Sequence, residues 1–259
     1  MEEAPVLREE TGPVSVLTMQ YRPYNLLSPA LLGGIADEIA AARDAGSRAI
    51  ILRSGLRHFS AGADVAQFSA RIEQGGRSQS TIGGVDFLKL LELLPTPIVA
   101  SVHGVCLGGG FELALASDYI VAASSAKIGS VEVALGLHPL LGCIQRQVQR
   151  AGAMRAKEIS MLGRRYDAAT LERWGLVNLV VADDALEATM TIAQELAHGP
   201  TVAHAATKRL VHIAVNEGVL AADEAMAEIQ KPIWASEDLK IGLASFRENG
   251  PGLAKFAGR

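Results

Sequence analysis

The chain has 259 residues, 49% of them hydrophobic and 20% charged, with a formal net charge of −4. That balance fits a globular protein with enough apolar surface for one large core, and it excludes a disordered segment. An acidic chain is a poor partner for nucleic acid. His103, Glu112 and Asp118 interrupt the most apolar stretch, so no run of about 18 uncharged apolar residues is present to cross a membrane.

The opening residues MEEAPVLREE lack the apolar centre of a secretory signal. Cys106 and Cys143 lie inside apolar segments, so no disulfide framework is expected, and a soluble cytoplasmic protein is. The first strand is expected at 13–20, where PVSVLTMQ alternates apolar and polar residues. A capped amphipathic helix follows at 28–46, opening on Ser28 and Pro29 and stopping at Gly46. RAIILRS at 48–54 reads as a strand buried on both faces. Helical spacing returns from about Asp64, and the polar, Gly/Ser-rich stretch 71–84 reads as a mobile loop beside a site. TPIVASVHG at 96–104 repeats the plan of strand, Gly-rich turn and helix, the helix starting near Gly109. Further strands are expected at 118–130 and 175–184. Three helical patterns close the chain at 184–197, 200–217 and 219–248, the last broken near Pro232. Strands alternating with helices predict an α/β fold with parallel pairing.

Two turns from strand to helix stand out: HFSAGADV at 58–65 and VCLGGGFELAL at 105–115. A helix N-terminus carries unpaired N–H groups and a partial positive charge, and residues without bulk let a ligand atom reach them. One such turn is as readily explained by packing. Two in one domain can converge on a single oxygen and hold a developing oxyanion. Neither turn matches a phosphate-binding loop or a dinucleotide fingerprint.

Glu112 sits in the first turn of an otherwise apolar helix, where capping that helix's own N–H groups is the plain alternative to chemistry. Glu132, in IGSVEVALG, is likewise one acid among apolar neighbours. Buried carboxyls in such company hold their protons to higher pH, the condition for proton transfer near neutrality.

HFSAGADV, HGVCLGGGFELALASDYIVAA, IGSVEVALGL and WGLVNLVV, in this order, resemble the enoyl-CoA hydratase/isomerase (crotonase) superfamily over nearly the whole chain. The resemblance implies a spiral of ββα units over 1–197, with an acyl-CoA active site. A C-terminal helical region over 198–259 is implied to close the pocket and build a homotrimer or a hexamer of two trimers. It implies that Ala63 and Gly109 are the backbone donors to the thioester oxygen. Ala61, Asp64, Val65 and Gly108 would line the same two turns. Glu112 is implied as the base that activates water and Glu132 as the proton donor to Cα. No cofactor or metal is implied, coenzyme A being part of the substrate.

The phosphates of coenzyme A call for local cations: Arg22 in YRPYN is one candidate, and the resemblance adds the Lys255–Phe256 pair, implied to contact coenzyme A across a subunit interface. Two departures from the family pattern bear on substrate. Val131 stands where proline is usual. GLHPLLGCIQR at 136–146 replaces a Gly-rich turn, so Leu140, Leu141 and Cys143 add bulk beside the acyl pocket while Gln145 and Arg146 are kept. His138 in that turn is a structural residue or a participant in the chemistry. Hydration of a 2-enoyl-CoA is the leading reading. The alternatives are a double-bond isomerase, a C–C bond hydrolase of a branched or cyclic acyl-CoA, and a catalytically silent CoA-binding scaffold.

Overall fold

A computed structural model describes residues 4–65, 84–182 and 184–259. Its main sheet has six strands: β1 (Val6–Thr11), β2 (Val14–Met19), β3 (Ala49–Ser54), β4 (Ile98–Val102), β6 (Tyr119–Ala123) and β9 (Leu179–Val181), in the order β1-β2-β3-β4-β6-β9. β1 and β2 form an antiparallel hairpin, and every other pairing in this sheet is parallel. A second sheet combines β5 (Val105–Leu107), β7 (Lys127–Gly129) and β8 (Tyr166–Asp167).

Side chains alternate across the main sheet and sort into two cores. Leu17, Met19, Ile50, Leu52, Ile98, Ala100 and Val102 face one side, while Val14, Val16, Ala49, Ile51 and Val99 face the other. Helix α1 (Pro29–Asp44) covers the first side with Leu31, Ile35 and Ile39, spaced one turn apart, and Ser28 caps it by accepting from the Leu31 N–H at 3.2 Å. Burying each of those side chains contributes roughly 1.5–3 kcal/mol. The same core takes in α2 (Gly84–Leu93), α3 (Gly109–Leu115) and α4 (Cys143–Leu162). The second side is covered by α6 (Ala185–His198), which follows the short α5 (Ala168–Arg173) and lies close because Ala185, Ala193 and Ala197 present no bulk.

The helices α7 (Thr201–Asn216), α8 (Val219–Ile229), α9 (Lys231–Ala235) and α10 (Glu237–Asn249) end the chain. The break expected near Pro232 is double. Pro232 lies in the first turn of α9, and Ser236 then starts α10 by accepting from the Leu239 N–H at 3.1 Å.

One expectation is corrected, and elements appear where none was expected. The stretch 118–130 is not one strand: a turn after Ala123 sends β6 and β7 into different sheets. Residues 6–11 form β1, an edge strand with only Val6 buried. Residues 143–162 are helical, bent at Gly152, whose φ is +80°. The loop expectation at 71–84 lies outside the described residues except for Gly84, which begins α2.

Candidate active site

β3 and β4 are parallel neighbours, so the turns that follow them leave the same end of the sheet. They then zip together. The Phe59 N–H donates to His103 O at 3.1 Å, the Ser60 N–H to Val105 O at 3.2 Å, and the Leu107 N–H to Ser60 O at 3.0 Å. Asn25, buried at φ +50°, fastens this pair of turns from the side. Its side-chain amide donates to Ser54 Oγ at 2.8 Å and Phe59 O at 3.1 Å, and its backbone carbonyl accepts from Ser60 Oγ at 2.7 Å. Sequence reasoning passed over Asn25. An asparagine in a loop beside a proline was the one available signal, since that residue tolerates a left-handed backbone.

The small residues serve the protein's own backbone as well as a ligand. A Cβ on Gly110 would stand 2.6 Å from Ser60 Cβ and 2.9 Å from Ser60 O. A Cβ on Gly62, at φ +107°, would stand 3.1 Å from Leu107 O and 3.7 Å from the Gly109 nitrogen. At Gly109 it would meet a Leu27 methyl at 2.9 Å and the Ala63 nitrogen at 3.6 Å. The Ala63 and Gly109 nitrogens are therefore brought side by side. The Leu27 N–H uses the neighbouring Gly62 carbonyl at 2.8 Å, and among the described residues neither the Ala63 nor the Gly109 N–H donates to any group. Two adjacent free donors, one of them opening helix α3, suit an oxygen that gains negative charge.

Glu112 is 2% exposed, on the fully buried α3. It does not cap its own helix. Its Oε1 accepts from the Leu141 N–H at 2.8 Å and the Cys143 N–H at 3.0 Å, so it caps the N-terminus of α4 instead. Burial raises its pKa to about 7, aided by the charge of Glu132 and opposed by those two N–H groups and by Arg146. Glu132 opens a single 3₁₀ turn, Glu132–Leu135, that ends on left-handed Gly136. Both its carboxylate oxygens are buried and, among the described residues, accept no hydrogen bond. Burial again raises its pKa; the Val131 and Glu132 N–H groups and His138 pull the other way without bonding to it. A Cβ on Gly108 would stand 3.2 Å from Glu132 Oε1, which puts this acid against the turn that carries the Gly109 donor. The structure thus brings together Ala63, Gly108, Gly109, Glu112 and Glu132.

The other residues singled out in the sequence fall around this centre or away from it. The Ala61 N–H is tied to Tyr24 O at 3.0 Å, and Asp64 and the exposed Val65 continue from Ala63. Arg22 is exposed in the loop that Asn25 anchors. In the turn at 136–142, Leu140 is half-buried and Leu141 packs against the core, where a Cβ on Gly84 would meet its Cδ2. His138 is exposed and its Nδ1 lies 2.7 Å from Pro139 O. Cys143 is buried, with its thiol pKa pushed well up by burial, and its sulfur accepts from Gln147 Nε2 at 3.0 Å.

Lys255 and Phe256 do not join the site within one chain. The Phe256 carbonyl accepts from Arg48 at 3.2 Å, and Arg48 precedes β3, at the end of the strand opposite the site. Asp238 holds the same tail by accepting from the Ala257 and Gly258 N–H groups at 2.7 and 2.9 Å. Among the described residues no group of three or more His, Cys, Asp or Glu side chains could hold a metal ion, and no helix is long and apolar enough to cross a membrane.

A family model described as enoyl-CoA hydratase/isomerase matches residues 9–256. A probable enoyl-CoA hydratase of Rhizobium meliloti is 32% identical over 249 residues, covering 93% of this chain and 94% of that protein. A crotonyl-CoA hydratase of Syntrophomonas wolfei is 34% identical over 232 residues, covering 86% and 87%. A solved enoyl-CoA hydratase subunit from Geobacillus kaustophilus superposes with a TM-score of 0.88 at 33% identity, covering 98% of both chains.

Proposed function

The chain belongs to the enoyl-CoA hydratase/isomerase family, and from that premise we propose that it adds water across the α,β double bond of a 2-enoyl-CoA thioester. The observation that carries this reading is the pair of buried carboxyls beside two free backbone donors. Glu112, with a pKa near 7, is held through one oxygen only, which leaves the other to take a proton. Glu132 holds its proton to higher pH than an exposed carboxyl and, among the described residues, meets no hydrogen-bond partner.

In this reaction Glu112 takes a proton from water while the water oxygen bonds to Cβ. The π electrons move through Cα to the thioester oxygen, whose charge the Ala63 and Gly109 N–H groups receive. The enolate then collapses as Cα takes the proton of Glu132, and exchange with solvent returns both acids to their starting states. A base near neutrality contributes roughly 10²–10⁴-fold and each oxyanion donor roughly 10²–10³-fold. The reading needs no cofactor beyond the coenzyme A of the substrate, with Arg22 and, from a neighbouring protomer, Lys255 as cations for its phosphates. It also places the catalytic core at 1–197 and the oligomerisation region at 198–259. The exposed Val211, Val215, Val219 and Leu220 of α7 and α8 supply an apolar face for a trimer or a pair of trimers.

Loss of the enoyl-thioester absorbance of crotonyl-CoA tests the proposal, with wild type beside Glu112→Gln and Glu132→Gln. Rapid loss in wild type, reduced at least about a hundredfold by either change, is expected. An isomerase would depend mainly on Glu132, and retention of full hydration in Glu112→Gln would overturn the assignment.

A further inference from the structure

The hydratase reading treats Glu112 as the base but leaves unexplained an ion pair behind it, in which Arg146 is buried and Glu92 half-buried. Arg146, on the first turn of α4, is 8% exposed. Its guanidinium makes a two-pronged contact with Glu92 at the end of α2, Nε to Oε1 and Nη2 to Oε2, both at 2.7 Å. Its remaining nitrogen, Nη1, donates to the Gly142 carbonyl at 3.0 Å. That carbonyl and the Cys143 N–H are the two ends of one peptide group, and the Cys143 N–H is bonded to Glu112 Oε1 at 3.0 Å. A continuous chain therefore runs from Glu92 through Arg146 and the 142–143 peptide to the base.

Chains of this kind polarise each member in turn, because a cation on a peptide oxygen makes the N–H at the other end a stronger donor. Gly142 makes room for it: at φ +101°, a Cβ there would stand 2.5 Å from Arg146 Nη1. A guanidinium held in a buried ion pair is weak support for stability when hydrophobic residues of like volume would serve as well, so the burial of Arg146 calls for a specific role. Among the described residues Arg146 makes no hydrogen bond to Glu112 or Glu132; Glu112 takes its hydrogen bonds from Leu141 and Cys143.

We propose that Glu92 and Arg146 are positioning residues for Glu112, acting through the 142–143 peptide to aim and strengthen the N–H groups that hold its carboxylate. This rests on the reading of Glu112 as the water-activating base. The charged groups around Glu112 are Glu132 from the 3₁₀ turn and Arg146 from α4. Arg146 in turn faces Glu92 of α2 and Arg150 of α4, and Asp118 faces Arg150.

The full-length protein and its Arg146→Lys, Glu92→Gln and Glu92→Asp variants would be compared in two ways. The first is titration of the ¹³C-labelled carboxyl of Glu112 by NMR, its signal identified by its loss in Glu112→Gln. The second is the pH profile of kcat for crotonyl-CoA hydration. Lysine keeps the charge but cannot bridge Glu92 and the carbonyl together, so Arg146→Lys should raise the Glu112 midpoint by roughly one pH unit, about what weakening a hydrogen bond to a charged group is worth. Starting from about 7, that leaves about a tenth of the base ionised at pH 7 in place of half, so kcat should fall about fivefold with KM unchanged. Glu92→Gln should move midpoint and kcat in the same direction by releasing the guanidinium, and Glu92→Asp, the milder change, by less.

A normal midpoint in Arg146→Lys would reduce Arg146 to a bare charge and overturn the proposal. So would a lowered midpoint in Glu92→Gln, the result expected if Glu92 only offsets a cation acting through space. Loss of thermal stability with midpoint and kcat unchanged would leave the pair a structural prop and also overturn it. The carboxyl titration needs no turnover. Inactivity of the wild type toward crotonyl-CoA would therefore count against the hydratase reading, while the midpoints would still decide the role of the pair.

Discussion

Replacing Glu112 with glutamine should make the protein more stable at alkaline pH than the wild type, even as it removes activity. Burial lifts the Glu112 pKa from 4.5 to about 7. Between those values the folded chain binds this proton more tightly than the unfolded chain does, so the contribution of Glu112 to stability falls as pH rises and is fully lost above about 7. At 1.36 kcal/mol per unit, the whole span is worth about 3 kcal/mol, and about 2–3 kcal/mol of it falls between pH 5 and pH 8. The residue is 2% exposed, so solvent screening takes little from that figure. Glutamine keeps an oxygen for the Leu141 and Cys143 N–H groups and does not ionise. Urea unfolding of both proteins at matched protomer concentration, from pH 5 to pH 8, measures the effect. The stability of the variant relative to wild type should grow by about 2–3 kcal/mol across that range with the urea slope unchanged. A difference that stays flat with pH would refute the claim that Glu112 pays for its burial with a displaced pKa.

Three further outcomes follow from the packing of the turns around the site. Gly110→Ala places a methyl against Ser60 Cβ and the Ser60 carbonyl, and should cost about 1–3 kcal/mol as overpacking, read from the urea midpoint. Asn25→Ala leaves the Tyr21 N–H and the Phe59 carbonyl without partners and should cost about 3 kcal/mol or more. Because it frees the segment that carries Ala63, its kcat should also fall at temperatures where it remains folded. Gly142→Ala forces both a left-handed alanine and a displaced Arg146 guanidinium. Hydration kinetics should show a lower kcat with little change in KM, and Arg146→Lys added to it should reduce kcat less than in the wild-type background.

Much of the scaffold was legible because its signals are local. Ser28 and Pro29 announce the start of α1, and alternation or an apolar run marks β2, β3 and β4 within a residue or two of their observed ends. The small residues of both turns marked where two strands deliver their chain to one place. The helix at 143–162 was missed because its buried side includes Arg146, Gln147 and Ser160, which break the apolar period and draw part of their hydrogen bonding from distant partners such as Glu92 and Ser130. Residues 118–130 looked like one strand because both β6 and β7 are apolar, and nothing local says that the chain changes sheets after Ala123.

The acids show the division most clearly. Composition and spacing determined that two glutamates lie in apolar surroundings next to backbone turns without bulk, and that was enough to predict raised pKa values, since burial acts on a charge whatever the partner. Which helix Glu112 caps was decided by tertiary structure alone. Its donors lie 29 and 31 residues further along the chain, at the end of a turn whose course depends on Gly142 and on a guanidinium anchored to α2. A hydrogen bond is set by ångström-scale distance and angle between groups that only the folded chain brings together, whereas the tendency to be buried is a property each residue carries with it.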